Sequence, residues 1–134
     1  MTQHIQKIET TKAPRAIGPY SQAISVSCDQ RLIFVSGQLP IDPETGELTQ
    51  GDIQTLTKRV LDNIEAILHA SGSHLKNVIK VDIFLKDLKR DFVGMNEEYA
   101  KRFSPTAPPA RQTVQISALP KDATIEISCI AIGG

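Results

Sequence analysis

The chain has 134 residues, with 15 Lys and Arg balanced by 15 Asp and Glu. That length suits one domain with a real core, and the even charge argues against a general nucleic-acid binder or a polybasic membrane anchor. Four Phe, two Tyr and no Trp leave little for a base-stacking platform, and no apolar run approaches the roughly 20 residues that span a bilayer.

The opening stretch, MTQHIQKIETTKAPR, lacks the apolar region of a signal peptide. Cys28 and Cys129 have no framework spacing, so both read as reduced thiols in a cytoplasmic protein. No repeat or internal linker divides the chain, and residues 1–134 are read as a single domain. Residues 1–14 are polar, and the first dozen are expected to be ordered only in part. Ala16-Ile17-Gly18-Pro19-Tyr20-Ser21 is a turn signature, because Gly-Pro forbids helix. Ala23–Ser27 and Leu32–Ser36 predict two strands joined through Cys28-Asp29-Gln30-Arg31 as an antiparallel hairpin. Ser36-Gly37-Gln38 breaks the second strand, and Ile41–Glu47 is a loop by composition.

A first helix is predicted from an N-cap at Asp52 to a stop near Gly72. Its apolar stripe is Ile53, Leu56, Val60, Ile64, Ile67 and Leu68. Val78–Leu85 is β-branched and predicts a central strand buried on both sides. Lys86–Asp91 is a charge run read as a solvated loop, with Asp91 as the N-cap of a second helix whose stripe is Phe92, Met95, Tyr99 and Phe103. Pro105, Pro108 and Pro109 end that helix. Gln112–Ile116 and Thr124–Ile130 alternate and read as two strands around Ala118-Leu119-Pro120-Lys121-Asp122. The order ββ-α-β-α-ββ predicts an α+β fold with two helices on one face of a mixed sheet. The bare face then needs a cover, and a homo-oligomer would provide it.

In the last two strands Val114, Ile116, Ile125 and Ile127 form the apolar parity and are expected to face the core. Arg111, Thr113, Gln115, Glu126 and Ser128 would then share the opposite, non-core face. Arg111, following Pro-Ala at a strand start, suits bidentate capture of a carboxylate; a surface or inter-subunit salt bridge uses the same residue type. Glu126 between two isoleucines either pairs with a cation across an interface or handles a proton or water. Gly37 lets another group approach its backbone closely, although most such glycines are merely turns. Tyr20 and Tyr99 read as half-buried packing residues with satisfied hydroxyls. Asn96 shares an inward helix edge with Phe92. His4, His69 and His74 stand isolated, so no metal site is expected. A phosphate loop and a nucleophile elbow are both missing.

Six stretches taken together resemble one family: APRAIGPYSQA (13–23), FVSGQLPIDPETGEL (34–48), NIEAIL (63–68), VIKVDIFLKDL (78–88), MNEEYAKRF (95–103) and PPARQTVQISALPKDATIEISCIAI (108–132). The chain is similar to the Rid family of reactive enamine/imine deaminases, in its RidA branch, from about Ala13 onward. The resemblance implies a chorismate-mutase-like α+β fold in which a mid-chain strand separates the last two. It also implies a homotrimer with an internal β-barrel and sites between subunits. By matching position, Arg111 would bind a substrate carboxylate. Glu126 would hold or activate water, together with the backbone carbonyl of Thr113, and Tyr20, Ser36, Gly37 and Asn96 would line the cleft. Two departures stand out: Thr113 replaces a common Cys, and the loop at Lys89-Arg90 is one residue longer, which would shift Asn96.

The resemblance implies hydrolysis of short 2-imino acids, such as 2-iminopropanoate and 2-iminobutanoate, to 2-keto acids and ammonia, with no metal or organic cofactor. The rival expectation is a non-catalytic trimer that senses a carboxylate metabolite or binds a partner. Nuclease activity ranks below both, given the balanced charge.

Overall fold

A computed structural model of the chain describes residues 4–133. Its elements are β1 (Ile5–Ile8), β2 (Ala23–Val26), β3 (Leu32–Gln38), α1 (Ile53–Ala70), β4 (Val78–Leu85), α2 (Leu88–Ala100), β5 (Ala110–Gln115) and β6 (Ile125–Ile132). The expectation of partial order at the start falls partly on residues 1–3, outside the described residues. Beyond them Ile5–Ile8 forms a strand that the polar composition did not suggest.

The main sheet runs β3-β6-β4-β5, antiparallel except for the parallel β4–β5 pair, and β1 and β2 form a separate antiparallel ribbon. Two readings of connectivity are therefore corrected. Strands β5 and β6 are not a hairpin, because β4 lies between them, as the family resemblance implied. Nor do β2 and β3 pair: a bridge from Ser21 to Ala110 holds the ribbon beside β5, whereas β3 lies at the opposite edge on β6. Arg31 begins β3 by donating from Nη2 to the Ser71 carbonyl at 2.8 Å, which ties that edge to the end of α1.

Helix α1 forms where its capping chemistry predicts. Asp52 Oδ1 accepts the Thr55 N–H at 2.9 Å, and Gly72 at φ +77° takes the left-handed step after the C-cap Ser71. Its Leu56, Val60, Leu61, Ile64 and Leu68 are buried against Val81, Ile83 and Leu85 of β4 and Ile125, Ile127 and Cys129 of β6. Each such aliphatic side chain contributes about 1.5–3 kcal/mol on burial.

Helix α2 starts one turn earlier than its charge pattern suggested. Asp87 is the N-cap, with Oδ1 accepting the Arg90 N–H at 3.0 Å, so Leu88–Asp91 is helical rather than loop. Asp91 lies inside the first turn, buried, with Arg90 on its carboxylate. Lys89-Arg90 thus adds no loop. The stripe holds at Met95, Tyr99 and Phe103, which are buried, and fails at Phe92, which is exposed.

Both helices cover one face of the sheet. On the other face Lys80, Asp82 and Phe84 of β4 remain half-exposed, so within one chain β4 is buried on a single side. Phe34 is 70% exposed there on β3, and Val114 is exposed at the opposite edge on β5.

Candidate active site

The register decides which residues can meet. In the parallel β4–β5 pair Arg111 stands beside Val81, Thr113 beside Ile83 and Gln115 beside Leu85. Those β4 partners are core residues, so Arg111, Thr113 and Gln115 point to the helix side. Their contacts agree: Gln115 Oε1 accepts the Leu88 N–H at the start of α2, and Arg111 Nη1 donates to Asn96 Oδ1 of α2 at 2.7 Å. The face expected for Arg111, Thr113 and Gln115 is therefore the reverse of the observed one. Strand β5 is an edge on which the polar parity meets α2 and the apolar Val114 faces the bare side.

Glu126 obeys its predicted parity. It stands beside Phe84 on the uncovered face, with Ser128 beside Asp82. Its side chain lies over β3, where the register slips between Val35 and Gln38. That irregularity holds Ser36 and Gly37. A Cβ built at Gly37 would lie well inside van der Waals contact with the Glu126 carboxylate, so glycine is what permits the approach. Ser36, Gly37 and Glu126 thus form one cluster on the bare face.

Arg111, Asn96 and Tyr20 form a second cluster on the covered face. The Arg111 guanidinium carbon lies 5.6 Å from the Tyr20 ring centroid and 4.9 Å from that of Tyr99. Tyr20 is delivered by the Gly18-Pro19 turn: its N–H donates to the Gly18 carbonyl, and its hydroxyl accepts the Ile17 N–H at 3.3 Å. Ser21 then anchors to the Pro108 and Pro109 carbonyls beside β5. Among the described residues Asn96 Oδ1 is the only hydrogen-bond acceptor on the guanidinium, and no carboxylate lies within salt-bridge distance of it. Burial pulls the Arg111 guanidinium below its ordinary value, partly offset by the two tyrosines, yet it stays charged.

Tyr99 was expected to be half-buried with its hydroxyl satisfied. It is instead fully buried, and that hydroxyl, like Thr113 Oγ1, has no partner among the described residues. Burial drives the Tyr99 hydroxyl far above the ordinary phenol range, with Arg111 opposing the shift. Its place beside Arg111 was missed, although its position three residues after Asn96 puts both on one helix face. The same burial pushes the Cys129 thiol up to about 12.

The two clusters do not meet within one chain. Strand β4 separates β5 from β6, a lateral offset of about 10 Å, and the groups lie on opposite faces. A cavity of about 880 Å³ lies between the β1–β2 region and Phe103–Pro108; Tyr20 lines it, but Arg111, Asn96 and Glu126 do not. This void is thus beside the Arg111 cluster, not at it. Among the described residues no group of three or more His, Cys, Asp or Glu is arranged to hold a metal.

Comparison with known proteins identifies the lineage. The family model described as Endoribonuclease L-PSP matches residues 10–133. A RutC family protein of Pyrococcus abyssi is 55% identical over 124 residues, 92% of this chain and 94% of that protein. The 2-iminobutanoate/2-iminopropanoate deaminase of Capra hircus is 44% identical over 127 residues, covering 95% of this chain and 89% of its own. The chain belongs to the Rid family. Among solved structures, E. coli TdcF with bound serine superposes with a TM-score of 0.69 at 39% identity, covering 96% of this chain and 99% of that one. The two helices on a mixed sheet are therefore the Rid fold, and the relatives of this Rid chain include proteins named as imine deaminases.

Proposed function

We propose that a second copy of the chain brings its Glu126 to the Arg111 of the first, and that the completed site hydrolyses short 2-imino acids such as 2-iminopropanoate and 2-iminobutanoate. The products are the 2-keto acid and ammonia, and the working assembly is a cytoplasmic homotrimer. The observation that carries this reading is Arg111: a partly buried cation held by an amide and two rings, with no carboxylate among the described residues within reach. Burying an unpaired charge is costly, so such a group favours an anionic ligand. Support for the assembly comes from the uncovered sheet face that carries Glu126, where Phe34, Leu32 and Val114 are also exposed. The deaminase name of one relative and the serine bound to another point toward the same small carboxylate chemistry.

In the proposed reaction Arg111 binds the carboxylate and so fixes the protonated imine carbon. Glu126 accepts a proton as water adds to that carbon, giving the carbinolamine. The proton passes to nitrogen, the C–N bond breaks as Glu126 takes the proton of the carbinolamine hydroxyl, and ammonia departs from the keto acid, collecting that proton from Glu126 as ammonium. Tyr20, Ser36, Gly37, Asn96 and Thr113 shape the cleft. General acid–base help is worth about 10²–10⁴-fold.

The test is imine clearance in a coupled amino-acid dehydratase assay. Arg111→Ala should lower kcat/KM by about 10- to 100-fold, the worth of hydrogen bonds to a charged group. Arg111→Lys should fail similarly, because an ammonium lacks the planar fork. Unchanged clearance in either variant overturns the assignment. Glu126→Gln should lose turnover while retaining carboxylate binding, whereas a metabolite-sensing protein would have no turnover to lose.

A further inference from the structure

The Arg111 guanidinium is oriented by more than its hydrogen bond. One edge, Nη1, is occupied by Asn96. The Tyr99 ring lies 4.9 Å from the guanidinium carbon, the nearer of the two tyrosines. Tyr99 is itself immobilised: it is fully buried, its ring stacks on Phe103 with centroids 4.4 Å apart, and α2 fixes its backbone. Its hydroxyl makes no hydrogen bond among the described residues, so the phenol oxygen does not explain a tyrosine at this place. What the residue does supply is an electron-rich ring beside a cation that has lost much of its water.

Gly18 completes the arrangement from the other side. A Cβ there would lie 3.7 Å from Nη2, so a side chain longer than alanine's would cover that nitrogen. With Nη1 taken by Asn96 and the Tyr99 ring beside the cation, Nη2 beside the bare backbone of Gly18 remains for an incoming anion.

We propose that Tyr99 is a positioning residue: through the π-face of its ring, and not through its hydroxyl, it holds the Arg111 guanidinium in the attitude that presents Nη2 to a substrate carboxylate. The inference rests on the reading of Arg111 as a carboxylate receptor. A desolvated cation–π contact of this kind should strengthen carboxylate binding by about ten- to thirtyfold.

The test measures binding of 2-oxobutanoate, a stable carboxylate probe, by titration calorimetry, together with KM and kcat for imine clearance. Tyr99→Phe should bind the probe within about twofold of the parent, since the ring remains. Replacing residue 99 by progressively fluorinated phenylalanines keeps the shape while draining the ring face of charge. Affinity should fall stepwise with fluorination, and KM should rise more than kcat falls. Tyr99→Met fills similar space without a ring and should lose about tenfold in affinity. In an Arg111→Ala background none of these changes should alter binding further.

A flat fluorination series overturns the inference, as does a Tyr99→Phe variant as impaired as Tyr99→Met. The fluorinated set keeps the test decisive if Tyr99→Met does not fold. The underlying reading fails separately: if Arg111→Ala binds 2-oxobutanoate like the parent, Arg111 is no receptor. If Arg111→Ala abolishes binding and fluorination does nothing, only the role of Tyr99 is lost.

Discussion

The central strands β4 and β6 and the edge strands β3 and β5 obey different rules. In the centre the apolar parity is the buried parity: Val81, Ile83 and Leu85 on β4 and Ile125, Ile127 and Cys129 on β6 all lie under the helices. At the edges that equivalence fails. Strand β5 turns Arg111 and Thr113 toward α2 and leaves Val114 exposed, and β3 breaks register to lay Gly37 beneath Glu126. Alternation shows which residues share a face, but the helices decide which face is covered. The centre holds the fold and, through Glu126 on β6, one part of the candidate chemistry; the rest lies at the edges.

The strongest way to break this contrast is at the centre. Ile83→Ala leaves a hole in fully buried packing and should cost about 2–5 kcal/mol of stability, measured by denaturant unfolding, with clearance per folded molecule little changed. A loss below 1 kcal/mol would mean that the centre is not the structural half.

At the β3 edge Gly37→Ala should cost about 1–3 kcal/mol by overpacking and should abolish most turnover, because the new methyl displaces the Glu126 carboxylate. Adding Glu126→Ala should restore stability without restoring turnover. Failure of that rescue would show that the glycine is needed for another reason.

At the β5 edge Thr113→Val removes an unpartnered hydroxyl at nearly constant volume. Stability should hold or rise by up to about 1 kcal/mol, and 2-oxobutanoate binding should persist. Lost turnover in this variant would mean that the side chain, and not only the backbone of residue 113, takes part.

The smallest effect lies away from both edges, on the solvent side of the helices. Burial raises the Asp62 pKa, but Lys58 and Arg102 outweigh it and hold the carboxyl below the ordinary aspartate range. A depressed folded-state pKa adds stability above the unfolded value that is lost as pH falls through the folded one. Asp62→Asn should therefore flatten the acid limb of the stability–pH curve slightly and leave carboxylate binding unchanged at neutral pH.

Much of the fold was legible in the sequence because local chemistry carried it. The Asp52 cap, the α1 stripe, the β-branched run of β4 and the proline stop after α2 all formed where predicted. What misled were features whose meaning depends on distant neighbours. The charge run 86–91 enters the helix at Leu88 because Asp87 caps it, and no periodicity distinguishes that cap from Asp91. The partner of β2 is β1 and that of β5 is β4, and neither choice leaves a mark in the strand concerned. For the site, residue types singled out Arg111, Glu126 and Gly37 as candidates, Tyr20 and Asn96 entered only through the family resemblance, and the division between two faces was not readable. Tyr99 looked like core and is core, and its second role exists only through what lies against it.

The central proposal is that one active site takes Arg111 from one copy and Glu126 from another, and mixing tests it most directly. Arg111→Ala and Glu126→Gln proteins, each strongly impaired, are unfolded together in equal amounts, refolded and assayed for imine clearance. Random assembly should restore about a quarter of parental activity, since one interface in four joins an intact Arg111 to an intact Glu126. If the mixture is no more active than either variant alone, the two residues do not complete one another across copies, and the proposal is wrong.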